Sequence, residues 1–330
     1  MKTRRIGATD LEVTELGFGC AALGGLYRAC PREDAMAVMG AAWDAGLRYF
    51  DTAPFYGHGL SERRTGDFLR DKPNDAYVLS TKVGRLLSPV PHEAVPDHSY
   101  VDPLPFAVSY DYSHDAILRS VETSFARLGL NKIDILYVHD IGAYTHGAEL
   151  TKVHFRQLMD GGLKALEDLK AQGVIKAYGL GVNEVEICLE VLARAPLDCI
   201  LLAGRYSLLD RSAERDLLDR CVETGTSLVI GGVFNSGILA TGPVEGAHFD
   251  YGPANPDILE RVRAMETVAA GHNVPLAAPA LRFPLRHPAV ASVLTGTAKV
   301  SSLRRNLDLA AMELPEDLYA AFEPLVIGRD

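Results

Sequence analysis

The chain has 330 residues, 48% hydrophobic and 23% charged, with a net charge of −10. That balance is ordinary for a globular protein, and the acidity argues against a nucleic-acid partner or an anionic membrane surface. No apolar run approaches the roughly 18 residues a membrane helix needs. The basic start "MKTRRIGATD" has no apolar segment behind it and does not read as a signal peptide. Five cysteines, an odd number with no CxxC pair, suggest reduced thiols in a cytoplasmic protein.

In chain order, "RRIGATDLEVTELGFG" reads as a hairpin turning near residues 8–10 and leading into a first strand. Strand-like runs then alternate with helical ones. The strands are 14–20, 47–51, 77–82, 133–139, 177–182, 199–203, 227–232 and 290–295. The helices are 32–45, 61–70, 113–128, 155–172, 184–194, 210–224, 257–271 and 299–311, with a terminal helix after them. In 114–130, Ile117, Val121, Phe125 and Leu128 recur at helical spacing and Gly129 stops the run. Eight βα units with near-continuously apolar strands predict a parallel sheet covered on both faces. Eight closes a (β/α)8 TIM barrel, here one domain over 1–330, with long loops at its C-terminal face. An open doubly wound sheet is the alternative.

Two inter-strand stretches are swollen: 83–112, which carries five prolines, and the one after Gly231. The first is expected to be an irregular substrate lid. Asp51, Lys82 and His139 close strands two, three and four, and Tyr56 follows Asp51 in its loop. In a barrel these ends meet at one mouth. A phenol with a pKa near 10 exchanges protons poorly at neutrality. A lysine about 4 Å away contributes roughly 4 kcal/mol at an effective dielectric near 20, enough to bring Tyr56 toward neutrality. Asp51 would keep Lys82 charged, and His139 would orient a substrate oxygen. A central lysine also argues against a metal, whose charge it would repel. A dinucleotide fingerprint, Gly17-x-Gly19-x-x-Ala22, is present, but the helix that must open at its glycines is delayed past Pro31.

The segments "RYFDTAPFYGHGLSERRTGDFLR", "VLSTKVGR", "LGLNKIDILYVHD" and "LEDLKAQGVIKAYGLGVNE" resemble the aldo-keto reductase superfamily in order, over nearly the whole chain. "STKVGRLL", "HDIGAYTHG", "LLAGRYSLLD" and "GGVFNSGIL" resemble its branch of L-fucose (D-threo-aldose) 1-dehydrogenase, L-galactose dehydrogenase and pyridoxal 4-dehydrogenase. The resemblance implies hydride transfer between a nicotinamide cofactor and a sugar or aldehyde substrate, with Asp51, Tyr56, Lys82 and His139 as the catalytic tetrad. A sugar hemiacetal would become a lactone. A nicotinamide-sensing regulatory barrel is the non-enzymatic reading. By the same resemblance Asn183 holds the nicotinamide amide, while Glu184 and Ala203 depart from the family's serine and glutamine. Gly231, or its neighbour Gly232, stands where a tyrosine usually stacks, and Phe234 would compensate. Phe234, Asn235, Ser236, Gly237 and Leu239 would cover the pyrophosphate. Gly296, Thr297, Lys299, Ser302 and Asn306 would meet the adenosine. The lack of a cation at Gly296 or Ser302 favours NAD over NADP. Tyr27, His58, Asp140 and His146, the last in the loop after His139, are placed on the substrate side.

Overall fold

The computed structural model describes residues 1–329. Fourteen strands occur among them. β1 (Thr3–Arg5) and β2 (Glu12–Thr14) form the expected antiparallel hairpin. β3 (Leu16–Gly19), β4 (Tyr49–Asp51), β5 (Val78–Val83), β8 (Ile135–His139), β9 (Ala177–Val182), β10 (Cys199–Ala203), β11 (Ser227–Gly231) and β14 (Val290–Thr295) close into an eight-stranded barrel. Every pairing in it is parallel. β6 (Arg85–Pro89) pairs antiparallel with β7 (Phe106–Tyr110), and the two-residue β12 (His248–Phe249) pairs with β13 (Gly252–Pro253). The helices between barrel strands cover the outside, and the five cysteines are free and buried.

The period-two alternation of a strand decides what the barrel contains. Tyr49, Val78, Ile135, Tyr137, Ala177, Cys199, Leu201 and Val229 point inward and pack with Ile6, Leu11 and Val13 of the N-terminal hairpin, which plugs the lower end. Phe18, Phe50, Leu79, Leu136 and Leu180 point outward into the larger core under the helices. Asp51, Lys82 and His139 share the inward parity of Tyr49, Val78 and Ile135. Parallel register sets them near one another: Asp51 faces Ser80, Lys82 faces Tyr137, and His139 faces Gly181.

Several sequence expectations are corrected. The helix expected over 155–172 begins twelve residues earlier, as Ala143–Gln157, Leu158–Gly162 and Leu163–Ala171, so His146 is on a helix rather than in a loop. Gly147 breaks that helix at φ +67, and the polar sequence around it hides the amphipathic pattern. A helix at Ala277–Arg282 has no counterpart in the sequence reading; its first five residues are apolar and buried, which leaves no amphipathic pattern to detect. The stretch 83–112 is a hairpin rather than an irregular loop, with the connection 90–105 between its strands. After β3 the chain makes a short turn, Ala21–Gly24, and the next long helix starts only at Arg32, so no helix opens at Gly17 or Gly19.

Candidate active site

At the C-terminal end of the barrel, Lys82 and Asp51 are almost wholly buried. Lys82 Nζ donates to Asp51 Oδ2 at 2.7 Å and to the Thr52 carbonyl at 2.9 Å. Ser80 Oγ donates to Asp51 Oδ1 at 2.6 Å. Burial raises the Asp51 carboxyl above the usual carboxylate range, against the pull of Lys82 and Ser80. Gly181 leaves room for the lysine stem: a Cβ there would lie 3.1 Å from Tyr137 Cβ and 3.4 Å from Lys82 Cε.

Tyr56 sits above Lys82, whose Nζ is 4.5 Å from the phenol ring centroid. Its loop is seated by a close backbone crossing. Gly57 has φ +63, and a Cβ on Gly24 would come within 2.6 Å of the Tyr56 carbonyl carbon. The His139 ring stands edge-on to Tyr56 at 5.9 Å. Burial, with Arg85 and Lys82 nearby, pushes the His139 imidazole well below its usual pKa, so it is neutral at neutral pH.

The expectation that Lys82 brings Tyr56 toward neutrality is overturned. The Tyr56 pKa lies well above its ordinary value, first because it is buried and then because Asp51 and Asp140 face it. The lysine arrives already matched by Asp51, so little net positive charge reaches the phenol.

Tyr56, Lys82 and His139 border a cavity of about 450 Å³. Its walls include Phe55, Tyr100 and Tyr110, with Arg85, His98, Asp140, Thr145 and Asn183 as polar members. Three exposed tyrosines, Tyr27, Tyr144 and Tyr251, rim its mouth. The hairpin β6–β7 supplies Arg85 and Tyr110, and its connection supplies His98, Ser99 and Tyr100. That connection is tied to the loops after β3 and β4 by backbone bonds: Tyr27 N to Ser99 O, Val101 N to Gly25 O, and Leu104 N to Gly57 O.

A second cavity, about 360 Å³, shares Ala21, Leu26, Tyr27 and Tyr251 with the first and runs to Gly296 and Asn306. Gly204, Gly232, Gly237 and Gly296 line it. Gly232 takes φ +63, and a Cβ on it would press within 3.0 Å of Gly204 N. A cleft walled by backbone and joined to the Tyr56 cavity fits an extended dinucleotide.

Asp51, Tyr56, Lys82 and His139 are thus brought together as expected. Tyr27, Asp140 and Asn183 border the first cavity, and Phe234, Asn235, Ser236, Gly237, Gly296 and Asn306 the second. Other candidates lie off both linings. His58 is wholly buried behind Phe55, with Nε2 3.0 Å from His98 Nδ1. His146 lies behind the wall, 3.0 Å from the Tyr112 hydroxyl and packed on Tyr110 and His154. Gly231 turns into the barrel toward Ala203 and Leu201, and its neighbour Gly232 borders the cleft instead. Leu239 is a core residue. Thr297, Lys299 and Ser302 lie beyond the cavity at the start of the helix Val300–Ala311, where Thr297 Oγ1 accepts from Lys299 N.

Residues the sequence reading passed over also hold the site. Arg205 donates to the Asn183 carbonyl at 2.8 Å and to both oxygens of Asp250 at 2.9 and 3.0 Å. It thereby joins the β9 loop to the turn that carries Tyr251. The quoted segment "LLAGRYSLLD" contained Arg205 but no spacing that names its partners. Arg85 stood three residues after Lys82, with nothing in its spacing to distinguish it from a surface arginine.

A model of the "Aldo/keto reductase family" matches residues 15–327. The pyridoxal 4-dehydrogenase of Microbacterium luteolum is 45% identical over 326 residues, covering 96% of this chain and 95% of that protein. The D-threo-aldose 1-dehydrogenase of a Pseudomonas species is 39% identical, covering 95% and 94%. Among solved structures, the holo form of an aldo-keto reductase from Bacillus halodurans superposes with a TM-score of 0.78 at 25% identity, covering 99% of this chain and 97% of the other. The chain therefore belongs to the aldo/keto reductase family of nicotinamide-dependent oxidoreductases.

Proposed function

We propose that this chain oxidises a cyclic hemiacetal, an aldose of the L-fucose, D-arabinose or L-galactose type, to its lactone. The observation that carries the reading is the meeting of Tyr56, Lys82 and His139 on one cavity, with Asp51 beneath, continuous with a backbone-walled cleft. When bound, the nicotinamide supplies the hydride acceptor and, in its oxidised form, a positive charge. Asn183 would hold its amide. Phe234, Asn235, Ser236 and Gly237 would lie along the pyrophosphate, and Gly296, Thr297, Lys299, Ser302 and Asn306 along the adenosine.

Tyr56 is the proton carrier. Its raised pKa keeps the proton on the phenol, the state a general acid needs for carbonyl reduction. In oxidation Tyr56 must first release that proton, and as the phenolate it takes the proton of the hemiacetal hydroxyl; the positive charge of the oxidised cofactor would favour the phenolate. Neutral His139 directs the same oxygen without competing for the proton. NAD is the proposed cofactor: among the described residues no lysine or arginine borders the second cavity, and Gly296 and Ser302 offer no cation to a 2′-phosphate.

A second reading, oxidation of pyridoxal in its hemiacetal form, is favoured by the aromatic walls Phe55, Tyr100 and Tyr110, which suit a flat heteroaromatic ring. The test follows nicotinamide absorbance with NAD and NADP over aldoses, pyridoxal and simple aldehydes. Lactone formation with at least tenfold higher kcat/KM for NAD is expected. Turnover of none of these compounds would sink the dehydrogenase reading and leave a nicotinamide-sensing barrel.

A further inference from the structure

Arg85 is a buried cation that the reaction above does not use. Its side chain is 5% exposed, and its guanidinium lies 4.1 Å over the Phe55 ring and 5.4 Å from that of Tyr110. Nη2 donates to Asp140 Oδ2 at 2.5 Å, and Nε has no partner among the described residues. Among the described residues that is the fork's one hydrogen bond, from a group with five N–H donors. A buried ion pair with donors left over is a poor stabiliser of the fold. Asp140 is itself held at φ +43, an uncommon conformation for a residue with a Cβ and one that recurs at functional sites.

The pair borders the same cavity as Tyr56. His139 Nε2 is 3.4 Å from Asp140 Oδ2, and the His139 ring is 5.9 Å from that of Tyr56. The order along the wall is therefore Tyr56, His139, Asp140, Arg85. A six-membered ring whose reacting oxygen lies between Tyr56 and His139 carries its next oxygens toward the ion pair. We infer that Arg85 and Asp140 form a specificity site for a hydroxyl or phenolate oxygen one or two carbons from the reacting carbon. Arg85 donates to that oxygen, and Asp140 accepts the proton of a hydroxyl. Aromatic backing by Phe55 and Tyr110 keeps water from the fork, which strengthens such charge-assisted bonds. The inference rests on the hemiacetal reading and narrows it. The site selects oxygen-bearing rings over simple aldehydes.

The test compares substrates that differ only in that oxygen: L-fucose with its 2-deoxy and 3-deoxy analogues, and pyridoxal with its 3-O-methyl ether. Wild-type kcat/KM should favour the parent compound in at least one set by about 10- to 100-fold. Arg85→Met alone leaves Asp140 unpaired and risks misfolding, so the neutral double variant Arg85→Met/Asp140→Asn is measured beside it, with Arg85→Lys as partial rescue. The double variant should lose the preference, its kcat/KM falling at least tenfold further on the parent compound than on the deoxy or methylated one. Equal losses on both members of a pair would make the ion pair merely structural and overturn the inference, as would a wild type that turns over both members equally. Calorimetric titration of the same pairs into Tyr56→Phe reads the site without turnover. A parent-compound preference abolished by adding Arg85→Met supports the inference even if no hemiacetal is oxidised, and equal binding of both members counts against it.

Discussion

Replacing Asp51 with asparagine keeps the side-chain size and removes the charge opposite Lys82. Nζ and Oδ2 are 2.7 Å apart, and both side chains are at most 4% exposed. At that distance and an effective dielectric near 20 the attraction is about 6 kcal/mol, most of it offset by desolvation of the two ions. Breaking such a pair from one side typically costs about 3–5 kcal/mol, because the survivor is a buried uncompensated charge. In the variant Lys82 loses its counter-charge and keeps the Thr52 carbonyl at 2.9 Å. Denaturant melts of both proteins at pH 7 read the difference directly. The double variant Asp51→Asn/Lys82→Met should recover much of the loss. A deficit below about 1 kcal/mol at pH 7, or no recovery in the double variant, would refute the picture of Asp51 as the counter-charge of Lys82.

Gly24→Ala forces a methyl within 2.6 Å of the Tyr56 backbone. It should cost about 1–3 kcal/mol in a denaturant melt and lower kcat, since the loop that must shift carries the phenol. Burial and His154 lower the His146 pKa from 6.5 to about 4. The unfolded state takes up the proton first, so stability should fall as pH drops from 6.5 toward 4. His58, His98 and His139 act with the same sign. Discounted for partial exposure, His146→Gln should relieve about 1 kcal/mol of the loss between pH 7 and pH 5.5, read from melts at the two values. Shortening the connection 90–105 removes His98, Ser99 and Tyr100 from the first cavity only. The substrate KM should rise well above any change in the cofactor Kd, and equal changes would reject its role as substrate wall.

The barrel and the tetrad were legible because each is written in local pattern. Eight apolar runs at regular intervals name the strands, and the inward parity of Asp51, Lys82 and His139 follows from where each run ends. What was not legible depends on pairings distant in sequence. Arg85 meets Asp140 across 55 residues, and Arg205 meets Asp250 across 45. His58 and His146 look like loop histidines in the sequence, yet His58 is buried behind Phe55 and His146 sits on a helix behind the wall. The pKa of Tyr56 was misjudged for a related reason. The sequence supplies a lysine beside the phenol, but the net field also counts Asp51, Asp140 and burial.

The central claim is that Tyr56 moves the proton while the rest of the site binds and orients. Tyr56→Phe removes one hydroxyl from a ring whose loop is fixed by Gly24 and Gly57. The account predicts that kcat for hemiacetal oxidation falls by about 10²- to 10⁴-fold while the cofactor Kd, from fluorescence titration, changes less than about threefold. A variant that keeps near-wild-type kcat would contradict it.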